Sequence, residues 1–136
     1  MSNITQVVND NKYMTTLKKG VIASGLDKVL SGDGPYTMFA PSDLAFRKLA
    51  TGKFETLLKP ENKTKLEDVL KYHIVVGKLN YNDLKDGEKL KTVNGQELSV
   101  KVKDGHVRIQ GAEIENRDLQ TSNGVIHVLD TVMIKN

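Results

Sequence analysis

The sequence predicts an α+β protein, with helices gathered in its first half and strands in its second. Three observations carry that prediction. Apolar residues recur at helical spacing between Ile4 and His73, and the period falls toward two from Ile74 onward. Two dipeptides that tolerate positive φ, Asn94-Gly95 and Asp104-Gly105, punctuate the second half as hairpin turns. The 136 residues correspond to one ordinary domain, read as 1–136, with no linker, low-complexity tract or internal repeat.

Each element follows from its local pattern. Ile4, Val7 and Val8 mark one face of a short helix. Leu17, Val21 and Ile22 mark a second, with Gly25 near its C-terminus. "LDKVL" adds an apolar turn before the break at "SGDGP". "YTMFA" reads as a short strand stopped by Pro41. Ser42 is then placed to cap a helix through "DLAFRKL", with Ala45, Phe46 and Leu49 facing inward. A further helix opens at Pro60, a favoured first-turn position, and its stripe of Leu66, Val69, Leu70 and His73 follows i, i+3, i+4, i+7.

In the second half, "ELSVKV" alternates Leu98, Val100 and Val102 against Ser99, Lys101 and Lys103. With its two flanking turns it predicts a three-stranded meander over 88–110. "AEIEN" is a short strand and "TSNG" a turn. "VIHVL" is apolar on both faces, with Val125, His127 and Leu129 on one and Ile126 and Val128 on the other. Such a strand belongs in the middle of a structure, covered on both sides.

Composition narrows the function classes. The chain has no cysteine, so disulfides, thiol chemistry and Cys-based zinc sites are excluded. Twenty basic and 17 acidic residues give a net charge of +3, and the two signs are interleaved, as in "KPENKTKLEDVLK". With four Tyr, three Phe and no Trp, basic clusters interleaved with aromatics are missing, and nucleic acid is not an expected partner. No apolar run reaches the ~20 residues of a membrane span. "MSNITQVVND" lacks the features of a secretory signal, so the protein either stays inside the cell or is a mature form.

No motif points to catalysis. His73, His106 and His127 lie too far apart in sequence to form a local ligand pair, so no metal site is expected. A G-x-S-x-G nucleophile elbow is absent, and "GDG" at 32–34 lacks the lysine of a phosphate loop. Carboxylate pairs such as Glu67-Asp68 fall on exposed faces or turns. The expectation is a non-enzyme without cofactor, a monomer or weak oligomer. Two N-x-S/T sequons, at Asn3 and Asn62, would matter only in a secreted eukaryotic protein.

Three stretches, "TMFAPSDLAF" (37–46), "LLKPENKTKLEDVLKYHIVVGKL" (57–79) and "SNGVIHVLDTVMIK" (122–135), resemble the hallmark segments of the fasciclin domain, in the family's order and spacing. The resemblance runs from about Ile4 to Lys135. It implies a wedge-shaped β-sandwich of about seven strands, an ordinary sheet size, packed against helices from the first half. It also implies an extracellular or cell-surface module for adhesion or matrix contact, with a surface protein or matrix polysaccharide as partner. The alternative is an intracellular or periplasmic structural or signalling domain with no adhesive role. Two adhesion motifs of animal members can be carried over. The Tyr-His motif falls on Tyr72-His73. The Asn-Lys-Asp-Ile motif reads Asn116-Arg117-Asp118-Leu119, with arginine for lysine and leucine for isoleucine, which makes Asp118 and Leu119 candidate contacts. Ser42, Asn123, Gly124, His127 and Asp130 are assigned to structure.

Overall fold

In the computed structural model the described residues are 2–32, 34–48 and 52–133. Six helices and seven strands follow one another: α1 (Ile4–Asp10), α2 (Thr15–Ser24), α3 (Leu26–Leu30), β1 (Tyr36–Pro41), α4 (Asp43–Arg47), α5 (Lys53–Leu57), α6 (Lys63–Lys71), β2 (Ile74–Val76), β3 (Lys89–Lys91), β4 (Glu97–Lys103), β5 (His106–Ile109), β6 (Ala112–Thr121) and β7 (Gly124–Leu129). The expected inward position of Leu49 lies outside the described residues, as does the chain after Met133.

The strands form one mixed sheet in the order β2-β1-β7-β6-β5-β4-β3. Among the described residues, only β1 and β7 run parallel. The sheet curls until β2 and β3 meet, through the bridge Val75–Thr92 and the bond from Val93 N–H to the Ile74 carbonyl at 2.9 Å. The result is a nearly closed wedge, and the two layers of the expected sandwich are opposite sides of this curled sheet.

Two apolar clusters fill the structure. One lies between the sheet and the helices and contains Ile4, Leu17, Val21, Leu66 and Leu70 with Met38, Ile74, Ile126 and Val128 from the strands. The other lies inside the curl and contains Phe39, Leu98, Val100, Val107, Ile109 and Leu129. Burying each such side chain contributes about 1.5–3 kcal/mol. Strand β7 separates the two clusters, which is why both of its faces are apolar and all six of its residues are buried.

Local chemistry accounts for most element boundaries. Asn3 caps α1 and Gln6 returns the bond, a complete capping box. Gly25, at φ 79°, ends α2 and allows the chain to turn into α3. The Ser42 hydroxyl accepts from Ala45 N–H at 3.3 Å at the start of α4. Pro60 opens a 3-10 turn, Pro60–Asn62, that leads into α6. Asp104-Gly105 is a two-residue turn with both φ positive (53° and 78°), as expected of such a pair.

Three local expectations are corrected. Ile22 is 54% exposed, because the inner face of α2 is Leu17, Gly20, Val21 and Ser24. Gly20 leaves room there for the Phe54 ring, whose edge would lie 3.2 Å from an added Cβ. Asn94-Gly95 is not a two-residue turn, since Thr92 N–H bonds the Gln96 carbonyl and three residues lie between them. Only its glycine has positive φ. "AEIEN" is not a short strand but the first half of a ten-residue one, which also contains Asp118.

Candidate adhesion site

Strand β6 does not run evenly beside β7. Ile114 pairs with Leu129, Asn116 with Val128 and Leu119 with Ile126, so five steps along β6 match three along β7. The two extra residues form bulges that bend β6 outward. Asp118 takes the strained position, φ 56°, which aspartate tolerates better than most residues.

His127 holds this bend from inside the wedge. Its ring is fully buried and stacks on Phe39 with centroids 5.7 Å apart. Asp118 N–H donates to His127 Nδ1 at 3.2 Å, and Nε2 lies 2.7 Å from the Leu79 carbonyl. A backbone N–H can only donate and a carbonyl can only accept. The two partners therefore dictate a neutral ring protonated at Nε2. Burial pushes its pKa down, while the Leu79 bond and the Asp118 carboxylate oppose that shift. The Asp118 carboxylate in turn accepts from Tyr81 N–H at 2.8 Å, and the Arg117 guanidinium lies 4.2 Å above the Tyr81 ring. The buried Thr37 hydroxyl completes the network: it donates to the Gly77 carbonyl and accepts from Leu79 N–H, both at 2.7 Å. The segment 77–81, which leads into a 3-10 turn at Tyr81–Asp83, is thus tied to β1, β6 and β7.

His73 repeats the arrangement with the opposite tautomer. Its Nδ1 donates to the Val69 carbonyl at 2.8 Å, and Nε2 accepts from Met133 N–H at 2.9 Å. Burial lowers its pKa to about 4, against the Val69 bond, which favours the proton. The neighbouring Tyr72 is 6% exposed and its hydroxyl accepts from Gln110 Nε2 at 3.0 Å. The four candidate contacts therefore do not converge on one surface. Tyr72 and His73 face the interior, Asp118 and Leu119 are half-buried, and the exposed residues of the bend are Glu115, Asn116 and Arg117.

Beside that bend lies a groove of about 340 Å³, lined by Tyr13, Asp43, Leu44, Glu115, Asn116 and Val128 among others. Tyr13 and Leu44 are 65% and 58% exposed. Asp43 is fixed there by two bonds that close the start of α2, from the Thr15 hydroxyl and Thr16 N–H, each at 2.8 Å. Partial burial opposes its ionisation, but those bonds outweigh it and hold the carboxyl below its usual range. Tyr13 lies in none of the three hallmark stretches, and Leu44 lies in the first of them but off its inward positions, Ala45 and Phe46. The available signal was a pair of large apolar residues off the periodic stripes. Among the described residues no group of three or more His, Cys, Asp or Glu could hold a metal ion, and no helix is long and apolar enough to cross a membrane.

The family model of the fasciclin domain matches residues 12–135. The chain belongs to the fasciclin family. It is 43% identical to the Synechocystis protein sll1483 over 96% of this chain and 72% of that one. It is 36% identical to the transforming growth factor-beta-induced protein ig-h3 of Sus scrofa, over 98% of this chain and 19% of that one. A solved FAS1 domain pair from the insect cell adhesion molecule Fasciclin I matches with a TM-score of 0.86 at 18% identity, over 98% of this chain and 51% of that one.

The last fasciclin hallmark has a polar hub at its start. The Asn123 side chain donates to the carbonyls of Leu30 (2.6 Å) and Gly32 (2.8 Å) and accepts from Ile4 N–H at 3.0 Å. It joins α1 and the end of α3 to the β6–β7 turn. Gly124 follows where the chain passes against β1, and a Cβ there would sit 1.8 Å from the Tyr36 carbonyl oxygen. Asp130 ends β7 by accepting from Glu113 N–H and the Thr131 hydroxyl, both at 3.0 Å.

Proposed function

We propose that this fasciclin chain is a non-enzymatic adhesion module, working outside the cell or at its surface on a protein or polysaccharide partner. The observation that carries the reading is the bend of β6, which sets exposed Glu115, Asn116 and Arg117 beside a groove with two exposed apolar side chains, Tyr13 and Leu44. Binding residues concentrate at such irregular positions on a rigid scaffold. The family link to ig-h3 and to an insect cell adhesion molecule supports the same reading. Asp118 and Leu119 enter it as residues that shape the bend, and Tyr72-His73 as residues that support the sheet behind the surface.

The test is an adhesion assay on immobilised protein. Tyr13→Ala with Leu44→Ala, and separately Arg117→Ala, should each lower cell or matrix adhesion several-fold while leaving the circular dichroism spectrum unchanged. Asp118→Ala should lose adhesion together with stability. Full adhesion by the Tyr13/Leu44 variant would remove the groove from the mechanism. A wild-type surface that captures nothing would favour a structural role without adhesion.

A further inference from the structure

The β4–β5 hairpin carries a concentration of positive charge that its fold does not require. Its inward residues, Leu98, Val100, Val107 and Ile109, are buried in the inner cluster. Its outward residues are Glu97, half-buried Ser99, Lys101 and Lys103 on β4 and His106 and Arg108 on β5, and the four basic ones are all exposed. The register places Lys101 directly opposite Arg108 and Lys103 directly opposite His106. Lys101 and Arg108, like charges directly opposite each other, repel and destabilise the sheet. Lys89 extends the same face, paired with Ser99 on the neighbouring strand β3.

Nearby acids answer part of this charge, and Glu97 lies opposite Lys91 at the far end of the face. Glu113 lies opposite Arg108 and 3.0 Å from His106 Nδ1. The Asp86 carboxylate is engaged by Val102 N–H at 2.9 Å. Asp104 sits in the turn. A hollow of about 300 Å³ lies between Lys101, Lys103, Asp104, His106 and Arg108. The platform beneath is well fastened: the Tyr81 hydroxyl donates to the Gly105 carbonyl and accepts from Val107 N–H, and Ser99 and Gln110 exchange two bonds.

We propose that this face binds a linear acidic polysaccharide. Along each strand the cations are spaced at ~7 Å, and the two rows lie ~5 Å apart. An extended chain bearing an acidic group on successive sugars can lie along these rows and relieve the repulsion between Lys101 and Arg108. The face presents no Phe, Tyr or Trp on which nucleic-acid bases would stack. It also has no exposed apolar residue to enter a bilayer. The surface is distinct from the β6 bend, so the proposal stands whether or not adhesion runs through that groove.

The experiment measures binding of the full chain to alginate, a linear polyuronate, by calorimetry at several salt concentrations, with dextran as the neutral control. Wild type should bind alginate and not dextran, with affinity falling steeply as salt screens the contacts. Lys101→Gln with Arg108→Gln should weaken binding at least about tenfold, a loss of about 1.4 kcal/mol. Lys19→Gln with Lys65→Gln, an equal charge change on the exposed faces of α2 and α6, should leave binding within about twofold, a few tenths of a kcal/mol. No alginate binding, equal loss in both variants, or tighter binding to single-stranded DNA or to phosphatidylglycerol vesicles than to alginate would each overturn the proposal.

Discussion

His127 shows how one buried side chain can set the path of a neighbouring strand. Its ring joins a donor on β6 to an acceptor at Leu79, and removing it leaves both backbone groups unpaired in an apolar interior. His127→Ala is therefore expected to lower stability by about 2–4 kcal/mol, from the cavity and the lost bonds together. Urea titration at neutral pH measures this directly. A variant as stable as wild type would show that the bend of β6 is held by other contacts.

At the scale of elements, the start of β7, where it comes in beside β1, is the least forgiving place in the fold. Gly124 has φ 157°, and a Cβ would overlap the Tyr36 carbonyl, which is backbone and cannot move aside. Gly124→Ala should cost about 3 kcal/mol or more. Gly95→Ala is the matched comparison. It has φ 83° with nothing within 4 Å of the added carbon, so only the left-handed penalty of about 1–2 kcal/mol applies. Thermal unfolding of the two variants should rank them in that order, and a milder effect at Gly124 would mean that the two strands can separate cheaply.

Legibility in the sequence follows the same division between local and long-range causes. Strand β7 could be read because apolar residues occupy both parities, and the Asp104-Gly105 turn because its conformational demand is met by its own two residues. Gln110-Gly111, a second two-residue turn with both φ positive, has a weak signal because glutamine seldom takes that conformation. The course of β6 beyond Asn116 was hidden because its bulges depend on His127, nine residues away from Asp118 and on another strand. The groove was hidden for a similar reason, since Tyr13, Leu44 and Asn116 meet only after folding.

For the whole molecule, the two buried histidines give stability a shared dependence on acid. Both have folded pKa values below the ordinary value near 6.5, so below that pH the unfolded chain binds protons that the folded chain refuses. Their stabilisation is complete above pH ~6.5 and is lost as the pH falls toward the folded values. For His73, with a folded value of about 4, the loss is on the order of 3 kcal/mol. Asp43 adds a loss of the same sign at lower pH. The urea midpoint should fall between pH 7 and pH 5, and His73→Asn, though less stable at neutral pH, should show a shallower fall. Equal slopes in the two proteins would remove His73 from the explanation.

An open sheet of seven strands would leave a free edge at each end, where unpaired N–H and C=O groups invite another chain to add itself as a strand. In this fold the outermost strands, β2 and β3, are three residues each and meet at Val75–Thr92. The short flank that remains exposes Lys89 and Lys91, whose charge discourages strand addition. Copies crowded side by side on a surface would therefore find no long backbone edge to share, and would stay separate folded units where an open sheet of the same length would risk aggregating.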